Sequence, residues 1–124
     1  MVKIVVDVGN CVPDHAAIKR LIEGKFDAKV LQAHGAEDAL KLLRENAVAL
    51  VLVNRKLDQD YSDGLEVIKE IKKQKEFGEL PVMLITNYPE HQQMAIQEGA
   101  RLGFGKLQLN DAATHQKLYD VLSV

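Results

Sequence analysis

Asp7, Asn54, Thr86 and Lys106 are the residues of this 124-residue chain whose types and spacing suggest a reaction. Asp7 closes the apolar run Ile4-Val5-Val6, and Asn54 closes Val48-Ala49-Leu50-Val51-Leu52-Val53. Thr86 closes Val82-Met83-Leu84-Ile85, and Lys106 follows a fourth short segment. If each run is a strand of one parallel sheet, an acid, an amide, a hydroxyl and an amine meet at its carboxyl edge, where open α/β sheets bind ligands. Phosphoryl transfer to a carboxylate uses a nucleophilic aspartate, a divalent cation held by oxygen ligands, and donors that steady the phosphoryl oxygens. Asp7 suits the cation, and Thr86 and Lys106 suit the donors. Asn54 stands where the nucleophile belongs, and a neutral amide does not form an acyl phosphate. The set has the layout of a phosphoryl-accepting pocket whose acceptor is an amide.

Positioning these residues requires strands that alternate with helices. The first strand, Lys3 to Asp7, leads to a helix predicted from Pro13 to Glu23, with proline in its first turn and Gly24 as its stop. Ala28 to Ala33 reads as a strand. Ala36, Ala39, Leu40 and Leu43 recur at helical spacing over Ala36 to Asn46. Val48 to Asn54 is the third strand. A polar loop with Asp58, Asp60, Ser62 and Asp63 opens a helix that runs to about Lys75. Pro81 to Thr86 is the fourth strand, and Asn87 is the expected N-cap of a helix that stops at Gly99. Leu102 to Lys106 forms the fifth strand. Asn110 or Asp111 starts a last helix carrying Leu118, Val121 and Leu122. The inner strands are apolar throughout, as in a parallel sheet covered on both faces. The expected fold is a doubly wound α/β domain with five parallel strands and five helices, spanning residues 1–124 as a single unit.

Bulk composition removes other classes. Hydrophobic residues make up 47% and charged residues 27%, the balance of a globular domain. A formal net charge of −2 carries no basic footprint for nucleic acid. No apolar run approaches the roughly 20 residues of a membrane span. One cysteine forms no internal disulfide, which fits a reducing, cytoplasmic compartment. No signal-peptide pattern precedes the first strand.

From about Lys3 to Leu122 the chain resembles the receiver domains of two-component response regulators, whose simplest member is the chemotaxis response regulator. Val5-Val6-Asp7-Val8 is similar to the family's first-strand segment, which ends in two adjacent acids; only Asp7 is kept, and Val8 replaces the second. Asn54 aligns with the phospho-accepting aspartate. Asp63-Gly64 resembles the segment that opens the third helix, after a loop about two residues longer. Leu80 to Thr86 resembles the fourth strand with its hydroxyl, Glu98-Gly99-Ala100 the turn before the fifth strand, and Lys106 the family lysine. Gly103 stands where the family carries an aromatic switch residue, and Leu107 replaces the proline after the lysine.

The resemblance implies a non-enzymatic signalling module, a degenerate pseudo-receiver that acts through protein–protein contacts. The pocket is Asp7, Val8, Asn54, Thr86 and Lys106. Its three carboxylates fall to one, so Asp7 alone remains for magnesium, and binding is expected to be weak or lost. Lys106 is expected to pair with Asp7 or bond to Asn54. The implied partner is a histidine kinase, an output domain or another regulator. A homodimer through the fourth helix, fifth strand and fifth helix would use His91 to Glu98, Leu102 to Lys106 and Asp111 to Tyr119. The alternatives are phosphoryl acceptance on Asp58 or Asp60, or a small-ligand sensor in the strand-end crevice. Asp58 lies four residues past the strand end, too far to reach the acceptor point. Cys11 and His15, four apart, are too few for a metal site. His34, His91 and His115 read as surface residues, and Lys69, Lys72, Lys73 and Lys75 as a solvated helix face. Tyr88 reads as a packing or partner-contact residue.

Overall fold

In a computed structural model, which describes residues 2–123, strands and helices alternate along the whole chain. They are β1 (Lys3–Val8), α1 (Val12–Lys25), β2 (Ala28–Ala33), α2 (Ala36–Glu45), β3 (Val48–Asn54), α3 (Gly64–Lys73), β4 (Val82–Ile85), α4 (Pro89–Gln97), β5 (Arg101–Phe104) and α5 (Ala112–Leu122). The strands form one parallel sheet in the order β2-β1-β3-β4-β5. After β2 the chain crosses back over β1 to lay down β3 on its other side. Strand order therefore reverses between β1 and β3, and a crevice opens there at the carboxyl edge.

The sheet divides the core in two. Val6, Val8, Val51, Val53, Val82 and Leu84 pack on one face with apolar residues of α2, α3 and α4. Val5, Leu50, Leu52, Met83 and Ile85 pack on the other with Ile18 and Ile22 of α1 and Leu118, Val121 and Leu122 of α5. Successive strand residues point to opposite faces, so a strand buried on both sides must be apolar at every position. The continuous apolar runs of β1 and β3 have this cause. The same alternation sends the side chain of Asp7 towards α1 and that of Val8 towards α2 and α3.

Several expected boundaries move for identifiable reasons. Helix α1 continues past Gly24 to Lys25; Phe26, partly buried beside the α1–α5 core, donates its N–H to the carbonyl of Ile22 and closes the last turn. Helix α3 stops at Lys73, and Lys75–Phe77 forms a separate 3-10 turn. Asn87 does not cap α4. Tyr88 holds that position, while the Asn87 Oδ1 accepts from the N–H of Leu107 at 3.3 Å. Lys106 lies beyond β5, in a 3-10 turn over Lys106–Gln108.

Lys72 does not belong to a solvated face. Its Nζ donates to the carbonyls of Phe77, Gly78 and Leu80 at 3.4, 3.1 and 2.7 Å, closing the turn after α3, and burial pushes its pKa down. Lys69 and Lys73 pair with Glu66 and Glu70, as a solvated face would. Buried Gln92 of α4 fills the irregular β4–β5 register: its Nε2 donates to the carbonyls of Leu84 and Thr86, and its Oε1 accepts from the N–H of Gly103. A side chain at Gly103 would collide with the Leu84 carbonyl, so an aromatic residue has no room there in this backbone.

Candidate functional site at the carboxyl edge of the sheet

Asp7 ends up fully buried, with both carboxylate oxygens occupied. Oδ1 accepts from the Asn10 amide at 2.5 Å, and Oδ2 from His15 Nδ1 at 2.7 Å. When Asp7 is ionised its carboxylate has only acceptors to offer, and His15 then donates from Nδ1. Both partners come from local structure. The chain turns at Gly9, whose φ of +80° favours glycine, and Asn10 then folds back under the end of β1. Helix α1 starts at Val12, and His15 sits in its first turn. Burial raises the pKa of Asp7, and the hydrogen bonds from His15 and Asn10 together with the positive charge of Lys106 offset that rise in part.

Lys106 contributes to Asp7 through its charge alone. Its Nζ forms an ion pair with Asp14 Oδ2 at 2.7 Å, which corrects the expected pairing with Asp7 or Asn54. Asp14 is the residue before His15, so the first turn of α1 is tied to β1 through one residue and to the end of β5 through the next. The Lys106 hydrogen bond holds the Asp14 pKa below its ordinary value. The Cys11 thiol donates to the same Asp14 oxygen at 3.2 Å.

Asn54 does not face an open pocket either. Its Nδ2 donates to the carbonyl of Lys56 at 2.7 Å and to that of Gly9 at 3.3 Å. Both partners are acceptors, so the amide nitrogen is required in this orientation. A carboxylate in the same rotamer would set oxygen against two carbonyl oxygens. Asn54 thereby staples the β1–α1 loop to the β3–α3 loop. Val8 is fully buried in the apolar cluster that holds Val53 and Leu57. Thr86 is buried; its hydroxyl oxygen accepts from the N–H of Tyr88 at 3.3 Å and lies 3.4 Å from His91 Nδ1. Tyr88 itself is exposed and meets the His91 ring edge-on.

Asp58 lies against His34, with its oxygens 3.1 and 3.3 Å from Nδ1. Asp60 accepts from the backbone N–H and hydroxyl of Ser62, which hold its pKa low. The two extra loop residues are absorbed in a turn closed by bonds between Leu57 and Ser62 and between Tyr61 and Leu57.

Asp7, Asn54, Thr86 and Lys106 lie at the carboxyl edge of the sheet, as expected from the sequence; Asn10 and Asp14 were not expected there, and His15, weighed only as a metal partner of Cys11, bonds Asp7 instead. One signal was available: Asp14 and His15 sit in the first turn of the helix that follows β1, and that turn must lie at the same edge as Asp7.

A divalent cation does not fit this arrangement. The atoms nearest Asp7 are N–H donors, whose positive ends repel a cation. The adjacent residue is a core valine, and the Asn54 amide points its N–H groups into the same crevice. Among the described residues no three of His, Cys, Asp and Glu are grouped so as to hold a metal ion.

A doubly wound sheet in this order, with polar residues at the ends of β1, β3, β4 and just past β5, has the CheY-like, flavodoxin-type fold. The sequence matches the profile of the response regulator receiver domain over residues 12–107, and the chain belongs to that family. The matched stretch takes in Asn54, Thr86 and Lys106 and begins after Asp7 and Val8. Among solved structures, the chain is similar to Vibrio cholerae CheY4 (TM-score 0.81, 17% identity, 98% of this chain and 100% of that one). It is similar to the receiver domain of Klebsiella pneumoniae RstA (0.79, 19%, 98% and 100%). It is also similar to NtrX from Brucella abortus (0.78, 23%, 99% of this chain), of whose length it spans 28%. These likenesses concern the fold. Among curated proteins no relative matches. Receiver domains are signalling modules of two-component systems that interact with kinases and output domains. Among the described residues no helix is long and apolar enough to cross a membrane.

Proposed function

We propose that this receiver domain is a pseudo-receiver: it accepts no phosphoryl group and signals by protein–protein contact, without enzymatic activity, in the cytoplasm. The observation that carries the reading is the Asn54 amide, bonded to two carbonyls at the point where a phospho-accepting carboxylate would stand. Support comes from Asp7, whose oxygens are both taken, and from Asp58, which is held by His34. A partner finds an apolar exposed face at α4, β5 and α5, where Ile96 and Leu102 are exposed beside Arg101, Lys117 and Asp120. The same face is the one on which two copies would pair. Gln92 is excluded from it, since its side chain points into the β4–β5 register. Treatment with a small acyl-phosphate donor and magnesium, followed by intact-mass measurement, tests the reading. The expected result is an unchanged mass; a stable adduct of one phosphoryl group on any aspartate at the strand ends overturns it.

A further inference from the structure

We infer that Asn10 and His15 occupy the place of a divalent cation at Asp7, and that these two residues, beyond the missing acids, make the site independent of metal. The inference deepens the pseudo-receiver reading and rests on it. A fully buried carboxylate must be compensated by donors or positive charge. Here the compensation is entirely internal: the Asn10 amide on Oδ1, the His15 Nδ1–H on Oδ2, and the charge of Lys106 from the Asp14 pair. Asn10 is itself fully buried, and its Oδ1 has no hydrogen-bond partner. The amide thus turns its N–H groups to Asp7 and leaves its own oxygen unsatisfied, so the contact with Asp7 sets its orientation.

The donors at Asp7 and in the crevice beside it come from different elements. Asn10 of the β1–α1 loop bonds Oδ1, His15 of the first turn of α1 bonds Oδ2, and the Asn54 amide of β3 directs its N–H groups at the carbonyls of Gly9 and Lys56. Val8 contributes a core methyl group in place of an oxygen. Restoring carboxylates at positions 8 and 54 therefore leaves Asp7 still occupied, and does not by itself rebuild a cation site. Asn10 and His15 are the determinants.

The test is chemical rescue. Melting temperatures are compared for the wild type, the Asn10→Ala/His15→Ala variant, and that variant with Asp7→Asn added. Each is measured in millimolar MnCl2, in millimolar MgCl2 and in NaCl of matched ionic strength. The wild type should show no cation-specific shift. The double variant should melt several degrees lower and regain a measurable part of that loss with Mn2+, through binding to the folded state. Adding Asp7→Asn should abolish the regain. If the double variant does not fold, His15→Ala alone is used, read by Mn2+-induced broadening of amide signals near Asp7. An Asp7-dependent cation shift in the wild type overturns the inference, as does a folded variant that gains nothing from Mn2+. The intact-mass experiment fails separately. A phosphoryl adduct on a wild type indifferent to cations overturns the functional reading, whereas a cation shift without an adduct overturns only the present inference.

Discussion

The carboxyl edge near β1 and the face formed by α4, β5 and α5 are opposite solutions within one domain. At the edge, most polar groups find partners within the chain: buried Asp7 with Asn10 and His15, half-buried Asp14 with Lys106, half-buried Asn54 with two carbonyls, while Asn10 Oδ1 is left without one. On the face, apolar groups are left outside: Leu102 is 50% exposed and Ile96 37%. A region whose donors and acceptors are matched internally has little left to offer a ligand. A region that keeps apolar side chains in water has burial still to gain. The edge ties β1, α1 and the end of β5 together through His15, Asp14 and Lys106, and on the proposed reading interaction is left to the other face.

The sharpest way to break this contrast is His15→Ala. Removing a hydrogen-bond donor from a fully buried carboxylate should cost about 1.5–3 kcal/mol in urea denaturation. A loss below about 1 kcal/mol would mean that Asp7 is not held as described. Next is Asn54→Asp. A carboxylate facing the Gly9 and Lys56 carbonyls loses the staple and should cost about 1–3 kcal/mol, with no phosphoryl adduct by intact mass.

A third experiment uses pH. The folded-state pKa of Asp7 is raised, chiefly by burial, so ionising it disfavours the folded state. Its favourable contribution is complete below its ordinary value of 3.8 and is lost as pH rises through the raised pKa. Asp7→Asn should therefore gain stability relative to the wild type from about pH 4 upward, then level off above the raised pKa. Asp14 acts in the opposite sense: its pKa is lowered, and its contribution is lost as pH falls through the lowered value. Denaturation midpoints of Asp7→Asn and Asp14→Asn against pH should slope in opposite directions relative to the wild type.

The smallest stability effect belongs to the exposed face. Leu102→Ser and Lys117→Glu should change stability by no more than about 0.5 kcal/mol, as is usual for surface substitutions. They should nevertheless weaken partner binding or self-association, measured by pull-down with the cognate partner and by sedimentation. Asn54→Ala should do the reverse, lowering stability and leaving binding nearly unchanged.

The sequence by itself determined the sheet and the residues at its edge. Continuous apolar runs in β1, β3 and β4, separated by helical spacing, permit a parallel sheet covered on both faces, and a run that ends in a polar residue places that residue at the carboxyl edge. Asp7, Asn54, Thr86 and Lys106 were legible because a period and a terminus are local properties of the chain. Only the tertiary structure decided which side chains touch. Lys106 meets Asp14, 92 residues away, and not Asp7. Lys72 turns onto three carbonyls instead of into water, and Gln92 points inward from a helix with an exposed face. Each of these choices depends on where a helix lies along the sheet to within a few ångströms and on one rotamer at its end. The pattern of apolar and polar residues sets the face a side chain occupies; packing of α1 and α4 against the sheet sets the partner it finds there.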